Sequence, residues 1–182
     1  IPLLMYESGE IDAATLFAED MERIADPQDP LNSQALVNPE LSIYYVGLSS
    51  DRPPFNDPLV RRAFLMALDR GKLVQDLYEG SREIAHGFLP PGLPGHDPST
   101  APIVFDPEEA RRLLAESSYG GSEGLPPIVY TTQSIPQPGG LVIALADMWN
   151  ESLGVEIQVL PLDRGNYFYN LEVQRGNLFD YG

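Results

Sequence analysis

The sequence predicts an α/β fold in which strands and helices alternate along the chain. The prediction rests on the region from Gly124 to Gly182, where a β-branched and aromatic run at 127–132 is followed by a helical pattern. An alternating apolar run at Val155–Val159, a second helical pattern and the apolar pair Leu178–Phe179 complete the region. The order strand, helix, strand, helix, strand implies a parallel sheet with right-handed crossovers.

The N-terminal region has weaker patterns. Leu3–Glu10 and Ala18–Ala25 are predicted to be helical, and Ile11–Phe17 between them is predicted to be a strand. Residues 26–39 have the composition of a linker. The next stretch, Leu41–Leu48, reads LSIYYVGL and is predicted to form a strand because β-branched and aromatic residues favour a pleated surface.

Three aspartates mark the starts of the next helices. Asp57 and Asp106 each precede a proline, so that an N-capping carboxylate stands directly before a residue suited to the first helical position. Asp69 can cap a further helix, which Gly80 is expected to end. Apolar residues follow at helical spacing and predict the buried faces of these helices, namely Val60, Phe64, Ala67, Leu68, Leu73, Val74, Leu77, Ala110, Leu113 and Leu114.

Two more helices are predicted within the alternating region. The first ends at Gly154, and the second begins after Asp163, which can cap it. Between the earlier helices, the stretch from Gly80 to Phe105 is too rich in Pro and Gly for regular structure and predicts an extended surface loop. A ligand contact and a simple covering role are both open for this loop. The predicted apolar faces are Val142, Leu145, Trp149 and Leu153 in the first helix, and Tyr167 and Leu171 in the second.

The charge of the chain argues against nucleic acid as a partner. The formal net charge is −16, and only 11 residues are Lys or Arg. A protein that binds nucleic acid gathers roughly 6–10 basic residues on one face, whereas the adjacent basic pairs here are Arg61–Arg62 and Arg111–Arg112. An anionic membrane surface is disfavoured for the same reason. No apolar run reaches the length of a membrane helix, and the absence of cysteine excludes disulfides and thiolate metal sites.

The sequence shows little that indicates catalysis. His86 and His96 are its two histidines, both in the Pro/Gly-rich loop, and no G-x-S-x-G motif accompanies them. His96 and Asp97 are adjacent but lack a further ligand at metal-binding spacing. The glycine pairs at 120–121 and 139–140 do not have the spacing of a phosphate-binding loop. We therefore expect no catalytic residues, no metal site and no cofactor.

Four stretches of the chain, in order and at consistent spacing, resemble the family 5 extracellular solute-binding proteins of ABC transporters, the dipeptide, oligopeptide and nickel group. The resemblance extends over nearly the whole chain. The stretches are YESGEID at 6–12; YYVGLSS at 44–50 with PPFND at 53–57, VRRA at 60–63 and ALDR at 67–70; LPPG at 89–92 with FDPEEA at 105–110; and LGVEI at 153–157 with Phe179–Asp180.

The resemblance implies the C-terminal lobe of a type II periplasmic-binding-protein-like fold, with a mixed sheet flanked by helices. Residues 1–40 would be the tail of the first lobe and the approach to the hinge. Residues 41–182 would be the second lobe, truncated before its end. The leader, a lipid-attachment cysteine and most of the first lobe would then lie outside this sequence.

The resemblance also implies a function without catalysis. The protein would capture a peptide or a similar small solute between two lobes and deliver it to the permease subunits of a peptide-type ABC importer. It would work as a monomer in the periplasm or on the extracellular face of the cell membrane, and would be lipid-anchored. The aspartate that holds a peptide's α-ammonium in such proteins would lie beyond Gly182.

Candidate ligand-binding residues come from the predicted strand ends and the long loop. They are Tyr45, Ser49, His86, Thr132 and Gln133. Two other classes of function stay open at this point. An acid-based glycosidase domain would need two carboxyl groups about 5–10 Å apart in one cleft. An interaction scaffold without a small-molecule ligand would instead dock a partner on the long loop.

Overall fold

The computed structural model describes residues 2–36, 41–78, 82–133, 139–174 and 176–181. The chain divides into two units, Ile1–Glu40 and Leu41–Gly182. The boundary coincides with the one predicted, while the assignment of the units to two lobes stays a prediction. No helix in the described part of the chain is long and apolar enough to cross a membrane.

The first unit contains two short helices, α1 (Pro2–Glu7) and α2 (Ala18–Ile24), and a 3₁₀ turn at Asn32–Gln34. The prediction of a strand at Ile11–Phe17 is wrong, because these residues are not in a strand. An isolated strand leaves its backbone groups without partners, and the described residues of this unit supply no second strand.

The second unit contains a four-stranded sheet and five helices within its described residues. The strands are β1 (Tyr45–Leu48), β2 (Ile128–Gln133), β3 (Ile157–Leu162) and β4 (Leu178–Tyr181). The helices are α3 (Pro58–Met66), α4 (Arg70–Tyr78), α5 (Pro107–Glu116), α6 (Gly140–Leu153) and α7 (Arg164–Tyr169), the last continuing as a π-helical turn through Gln174.

The strand order in the sheet is β1-β4-β2-β3. β2 pairs in parallel with both β3 and β4, as the alternation of strands and helices predicts. β1 pairs antiparallel with β4. The sheet is therefore mixed, which confirms the fold class that the resemblance implies.

The predicted helix starts are confirmed by the capping contacts. Each of the four aspartates accepts a hydrogen bond from a backbone N–H in the first turn of its helix. Gly154 ends α6 in a left-handed conformation with φ of 68°. α4 ends at Tyr78, and Gly80 lies outside the described residues. In the four capping contacts, the backbone N–H of Leu59 donates to Asp57 (2.8 Å), that of Lys72 to Asp69 (2.9 Å), that of Glu109 to Asp106 (2.9 Å) and that of Asn166 to Asp163 (3.0 Å).

The core lies between the sheet and helices α3, α5 and α6. Trp149 of α6 is at its centre, next to Phe64 of α3 and Tyr130 of β2. Most of the apolar positions predicted for α3, α5 and α6 are buried, whereas no residue of α4 is fully buried. Residues 82–105 contain no helix or strand, which confirms the predicted loop.

Asp57 also joins two distant parts of the second unit. Its Oδ1 atom caps α3, and its Oδ2 atom accepts from the backbone N–H (2.8 Å) and hydroxyl (2.7 Å) of Ser118. We expect Asp57→Ala to lower the free energy of unfolding by about 1–2 kcal/mol, since a lost cap alone costs this order of energy. Asp106→Ala is the matched control, because Asp106 caps only its own helix, and urea unfolding should show the smaller loss for it.

The contribution of Asp57 should also depend on pH. Hydrogen bonds from Ser118 and from the first turn of α3 lower the pKa of Asp57 below its ordinary value of 3.8. A carboxyl group whose pKa is lower in the folded state stabilises the protein above its unfolded pKa and loses this effect as pH falls through the folded pKa. The difference between wild type and Asp57→Ala should therefore shrink below about pH 4. A difference that stays constant down to pH 2 would contradict this account.

Candidate functional site

One edge of the sheet brings several strand ends together. β2 and β4 are parallel, so their carboxyl ends lie at the same edge, and the antiparallel β1 begins there. The register pairs Thr131 with Phe179, which places Thr132 beside Asp180. Ligands of open α/β sheets bind outside the carboxyl ends of the strands. This edge of the sheet is therefore the expected position of a functional site.

A groove of about 430 Å³ lies there, and we call it the edge groove. β2 contributes Thr132 and Gln133 to its lining, and β4 contributes Asp180. The start of α6 closes one side of the groove. The remaining lining residues are Tyr44, Leu77, Tyr78, Arg82, Gly139, Gly140, Leu141 and Val142.

An arginine and two aromatic rings form the rim of the edge groove. The guanidinium of Arg82 lies 5.5 Å from the centre of the Tyr44 ring and 5.4 Å from that of Tyr78. Both distances are in the range of cation–π attraction. These contacts hold a positive charge between two apolar surfaces, an arrangement typical of small-solute sites, which combine apolar walls with a few polar groups.

Asp180 supplies the opposite charge at the floor of the edge groove. Burial raises the pKa of its carboxyl group, and a hydrogen bond from the hydroxyl of Thr132 partly opposes that shift. The Oδ1 atom of Asp180 is buried and has no hydrogen-bond partner among the described residues. Arg82 and Asp180 do not form an ion pair with each other.

Tyr130 lies beneath this floor, on the same face of β2 as Thr132. Its side chain is fully buried, and its hydroxyl has no partner among the described residues. Burial and the nearby negative charge of Asp180 raise the pKa of Tyr130, so its phenol stays protonated. Asp180 and Tyr130 thus each have a buried polar atom without a partner among the described residues, and of the two Asp180 lines the groove.

The structure brings two of the five predicted ligand-binding residues together. Thr132 and Gln133 both line the edge groove. Tyr45 is at the same edge, but successive residues of a strand point to opposite faces, and its ring packs at 5.5 Å against Phe88. His86 is exposed in the long loop and is not among the described lining residues of the groove.

Ser49 lies away from the other four. It follows the last residue of β1, at the opposite edge of the sheet from the groove. Its side chain is buried, and its hydroxyl donates to the backbone oxygen of Gly176 at 2.6 Å. Its backbone N–H donates to the backbone oxygen of Asn177 at 3.0 Å. These contacts fix the start of β4 and give Ser49 a structural role.

Sequence reasoning did not single out Tyr44, Tyr78, Arg82 or Asp180, which line the edge groove. Asp180 is part of one of the stretches that resemble the family, but only the strand register places it beside Thr132. Tyr44 directly precedes the predicted Tyr45, which is the first residue of β1. Arg82 could be recognised only from the structure, in which its guanidinium lies over the rings of Tyr44 and Tyr78.

The described carboxyl groups that line the two depressions do not have the arrangement that a glycosidase requires. Asp180 is the one acid among the described residues that line the edge groove. A second depression, on the first unit, has four acids around Arg23, which pairs with Glu7 (2.5 Å) and Asp29 (2.8 Å). Hydrogen bonds from Leu31 and Arg23 lower the pKa of Asp29, whereas a general acid needs a raised pKa. The glycosidase hypothesis is therefore not supported.

Comparisons with known proteins agree with the fold. A model of the bacterial extracellular solute-binding proteins, family 5 Middle, matches residues 2–179. The periplasmic oligopeptide-binding protein OppA of Escherichia coli (strain K12) is 30% identical over 162 residues, which cover 85% of this chain and 29% of OppA. The dipeptide-binding protein DppE of Bacillus subtilis (strain 168) is 27% identical over 187 residues, which cover 97% of this chain and 32% of DppE.

A solved structure shows the same architecture. The Escherichia coli murein tripeptide-binding protein MppA superposes with a TM-score of 0.76 at 22% identity, over 98% of this chain and 36% of that chain. This similarity confirms a type II periplasmic-binding-protein-like fold. The chain spans only about a third of the length of these proteins, between 29% and 36%.

Proposed function

We propose, because this chain belongs to the bacterial extracellular solute-binding proteins of family 5, that it forms part of a receptor that captures a peptide or a similar small solute for an ABC importer. The observation that carries the proposal is the edge groove. It combines aromatic walls with one guanidinium and one carboxyl group at the carboxyl ends of parallel strands. Such sites bind small ligands.

In this proposal, capture requires no chemical step. Residues 41–182 belong to the second lobe, which continues beyond them; residues 1–40 belong to the first lobe and the approach to the hinge. The solute is enclosed when the lobes close. The loaded protein then docks on the permease subunits. We propose that it does so as a lipid-anchored monomer in the periplasm or on the extracellular face of the membrane. The absence of paired carboxyl groups from the described part of the edge groove supports a binding role without catalysis.

The proposed solute-contacting residues follow the geometry of the groove. Thr132 and Gln133 remain proposed because they line it, whereas Tyr45, Ser49 and His86 are not among its described lining residues. Four further lining residues are proposed with them. They are Tyr44, Tyr78, Arg82 and Asp180.

A comparison of two exposed tyrosines tests the proposal. Tyr44 in the edge groove is 58% exposed and Tyr169 outside it is 55% exposed, so the two residues are matched in type and accessibility. We expect Tyr44→Ala in the full-length protein to weaken the binding of trialanine about tenfold, because an aromatic wall contributes more than 1 kcal/mol when it contacts ligand. Tyr169→Ala should leave the affinity unchanged. Titration calorimetry measures both.

Two results would contradict the proposed function. One is the absence of saturable binding of any member of a di- to pentapeptide set to the full-length protein. The other is an equal loss of affinity in Tyr44→Ala and Tyr169→Ala. Residues 1–182 alone should bind these peptides weakly or not at all, because they span only about a third of the length of the relatives.

An interaction scaffold remains the second candidate, and one observation favours it. The long loop exposes large apolar side chains, with Phe88 at 68% and Val104 at 65%. A thermal-shift screen of the full-length protein separates the two functions, since a ligand bound in a cleft stabilises the folded state by mass action. A scaffold without a small-molecule site would show no shift with any peptide.

A further inference from the structure

The rim of the edge groove already holds a cation, and that cation belongs to the chain itself. The guanidinium carbon of Arg82 lies 5.5 Å from the centre of the Tyr44 ring and 5.4 Å from that of Tyr78. Both rings line the groove, so that a solute in the groove can reach them. We call the rings of Tyr44 and Tyr78 the ring clamp.

The partners of Arg82 show that the ring clamp suits a guanidinium. The chain has 27 acidic residues and only 11 basic ones. Arg23 and Arg112 each pair with two carboxylates, whereas Arg82 forms no ion pair with a described residue. A guanidinium is planar and weakly hydrated, and it stacks on the negative face of an aromatic ring. The rings therefore hold this group without the help of a carboxylate among the described residues.

We propose that the ring clamp is a subsite for the guanidinium of an arginine side chain in the captured peptide, and that Arg82 occupies this subsite until such a side chain displaces it. This inference rests on the proposed function. It adds the class of side chain that the rim of the groove accepts, and a residue of the chain that competes for the same place.

The tether of Arg82 determines how strongly it competes. A group that is linked to its site by the chain acts at an effective concentration on the order of millimolar. A free guanidinium below that concentration cannot displace it, but the arginine of a peptide already bound in the groove is tethered as well. The wild type should therefore distinguish arginine only weakly from a neutral analogue. Removal of the Arg82 guanidinium should increase that selectivity.

Two peptides measure the selectivity. Ala-Arg-Ala carries the guanidinium, and Ala-citrulline-Ala carries a neutral urea of almost the same shape. The readout is the Kd of the citrulline peptide divided by that of the arginine peptide, measured by calorimetry on the full-length protein. The peptides have the same backbone and termini, so that changes elsewhere in the groove cancel in this ratio. Thermal melts show whether each variant is folded.

Three variants are compared with the wild type. Arg82→Gln empties the ring clamp, and Arg82→Gln with Tyr78→Leu also removes one of its rings. Arg164→Gln is the matched control. Arg164 is a second arginine over an aromatic ring, 5.9 Å from the centre of Phe168, but it is not among the described residues that line the groove. Its substitution removes the same charge from the protein as Arg82→Gln does.

We expect the ratio to rise about tenfold in Arg82→Gln, the size of a cation–π attraction in a partly desolvated site. Most of this rise should be lost when Tyr78→Leu is added. The ratio in Arg164→Gln should equal that of the wild type. The subsite is refuted if folded Arg82→Gln keeps the wild-type ratio, if Arg164→Gln raises it equally, or if Tyr78→Leu leaves the rise intact.

A separate titration tests the ring clamp if neither peptide binds. In Arg82→Gln, ethylguanidinium chloride should shift the ring resonances of Tyr78 saturably, and ethylurea should not. Saturation by ethylguanidinium together with the failure of every peptide would refute the proposed function alone. No saturable response to ethylguanidinium would refute the ring clamp, whatever the peptides do.

Discussion

Trp149→Ala is expected to lower the free energy of unfolding by about 3–5 kcal/mol, the range for removing a large aromatic side chain from a core. Trp149 is 1% exposed, and its Nε1–H donates to the backbone oxygen of Phe64 at 2.9 Å. Its ring centre lies 5.4 Å from that of Phe64 and 6.2 Å from that of Tyr130. The substitution leaves a cavity and an unpaired buried carbonyl at one position.

Urea unfolding of residues 1–182 measures this effect, with Ile143→Ala as the control. Ile143 is on the same helix α6 but is 46% exposed, so its truncation should cost less than about 1 kcal/mol. The two variants change the same helix by similar chemistry and differ in burial. Equal losses in both would mean that Trp149 is not at the centre of the core.

The effect of Trp149→Ala should extend to the edge groove. Trp149 packs against Tyr130, which is on β2 two residues before the groove residue Thr132. A cavity next to this ring would let it move, and the packed core would no longer hold the hydroxyl of Tyr130 in place. The same helix begins at the groove with Gly140. Packing in the core therefore helps to position the residues of the candidate site.

The features that could be predicted from sequence are those with local causes. Asp57, Asp69, Asp106 and Asp163 cap helices because the carboxylate and its N–H partners lie within three residues of each other. The buried face of α6 follows from apolar residues at helical spacing. Each of these features is determined within a short segment, and packing against the rest of the chain does not change it.

The features that could not be predicted depend on pairing between distant segments. Thr132 and Asp180 meet only because β2 and β4 are parallel in one particular register. Tyr44, which lines the edge groove, directly precedes the predicted Tyr45, the first residue of β1, and nothing in the local sequence favours one of them over the other. Ile11–Phe17 resembles a strand in composition but has no partner among the described residues of its unit. No short segment of the sequence shows which distant strand it pairs with, or in which register.

Gly47→Ala is expected to lower the free energy of unfolding by about 1–3 kcal/mol, as overpacking does. Gly47 pairs with Phe179 across β1 and β4, and the Phe179 ring lies over the glycine. A Cβ atom on Gly47 would lie 2.1–2.7 Å from three atoms of that ring, far inside contact distance. The ring would have to move, and the pairing of the two strands would be disturbed.

A double-mutant cycle with Phe179→Ala identifies the cause of this loss. If the ring is what opposes a side chain at position 47, Gly47→Ala should cost almost nothing in the Phe179→Ala background, and the two substitutions should couple by about 1–3 kcal/mol. Additive losses in urea unfolding would instead assign the cost to the backbone of β1.

Asp180 follows Phe179 directly, so the same contact helps to set the register that brings Asp180 beside Thr132. Gly47→Ala should therefore also weaken peptide binding in the full-length protein, although Gly47 is not among the described residues that line the edge groove.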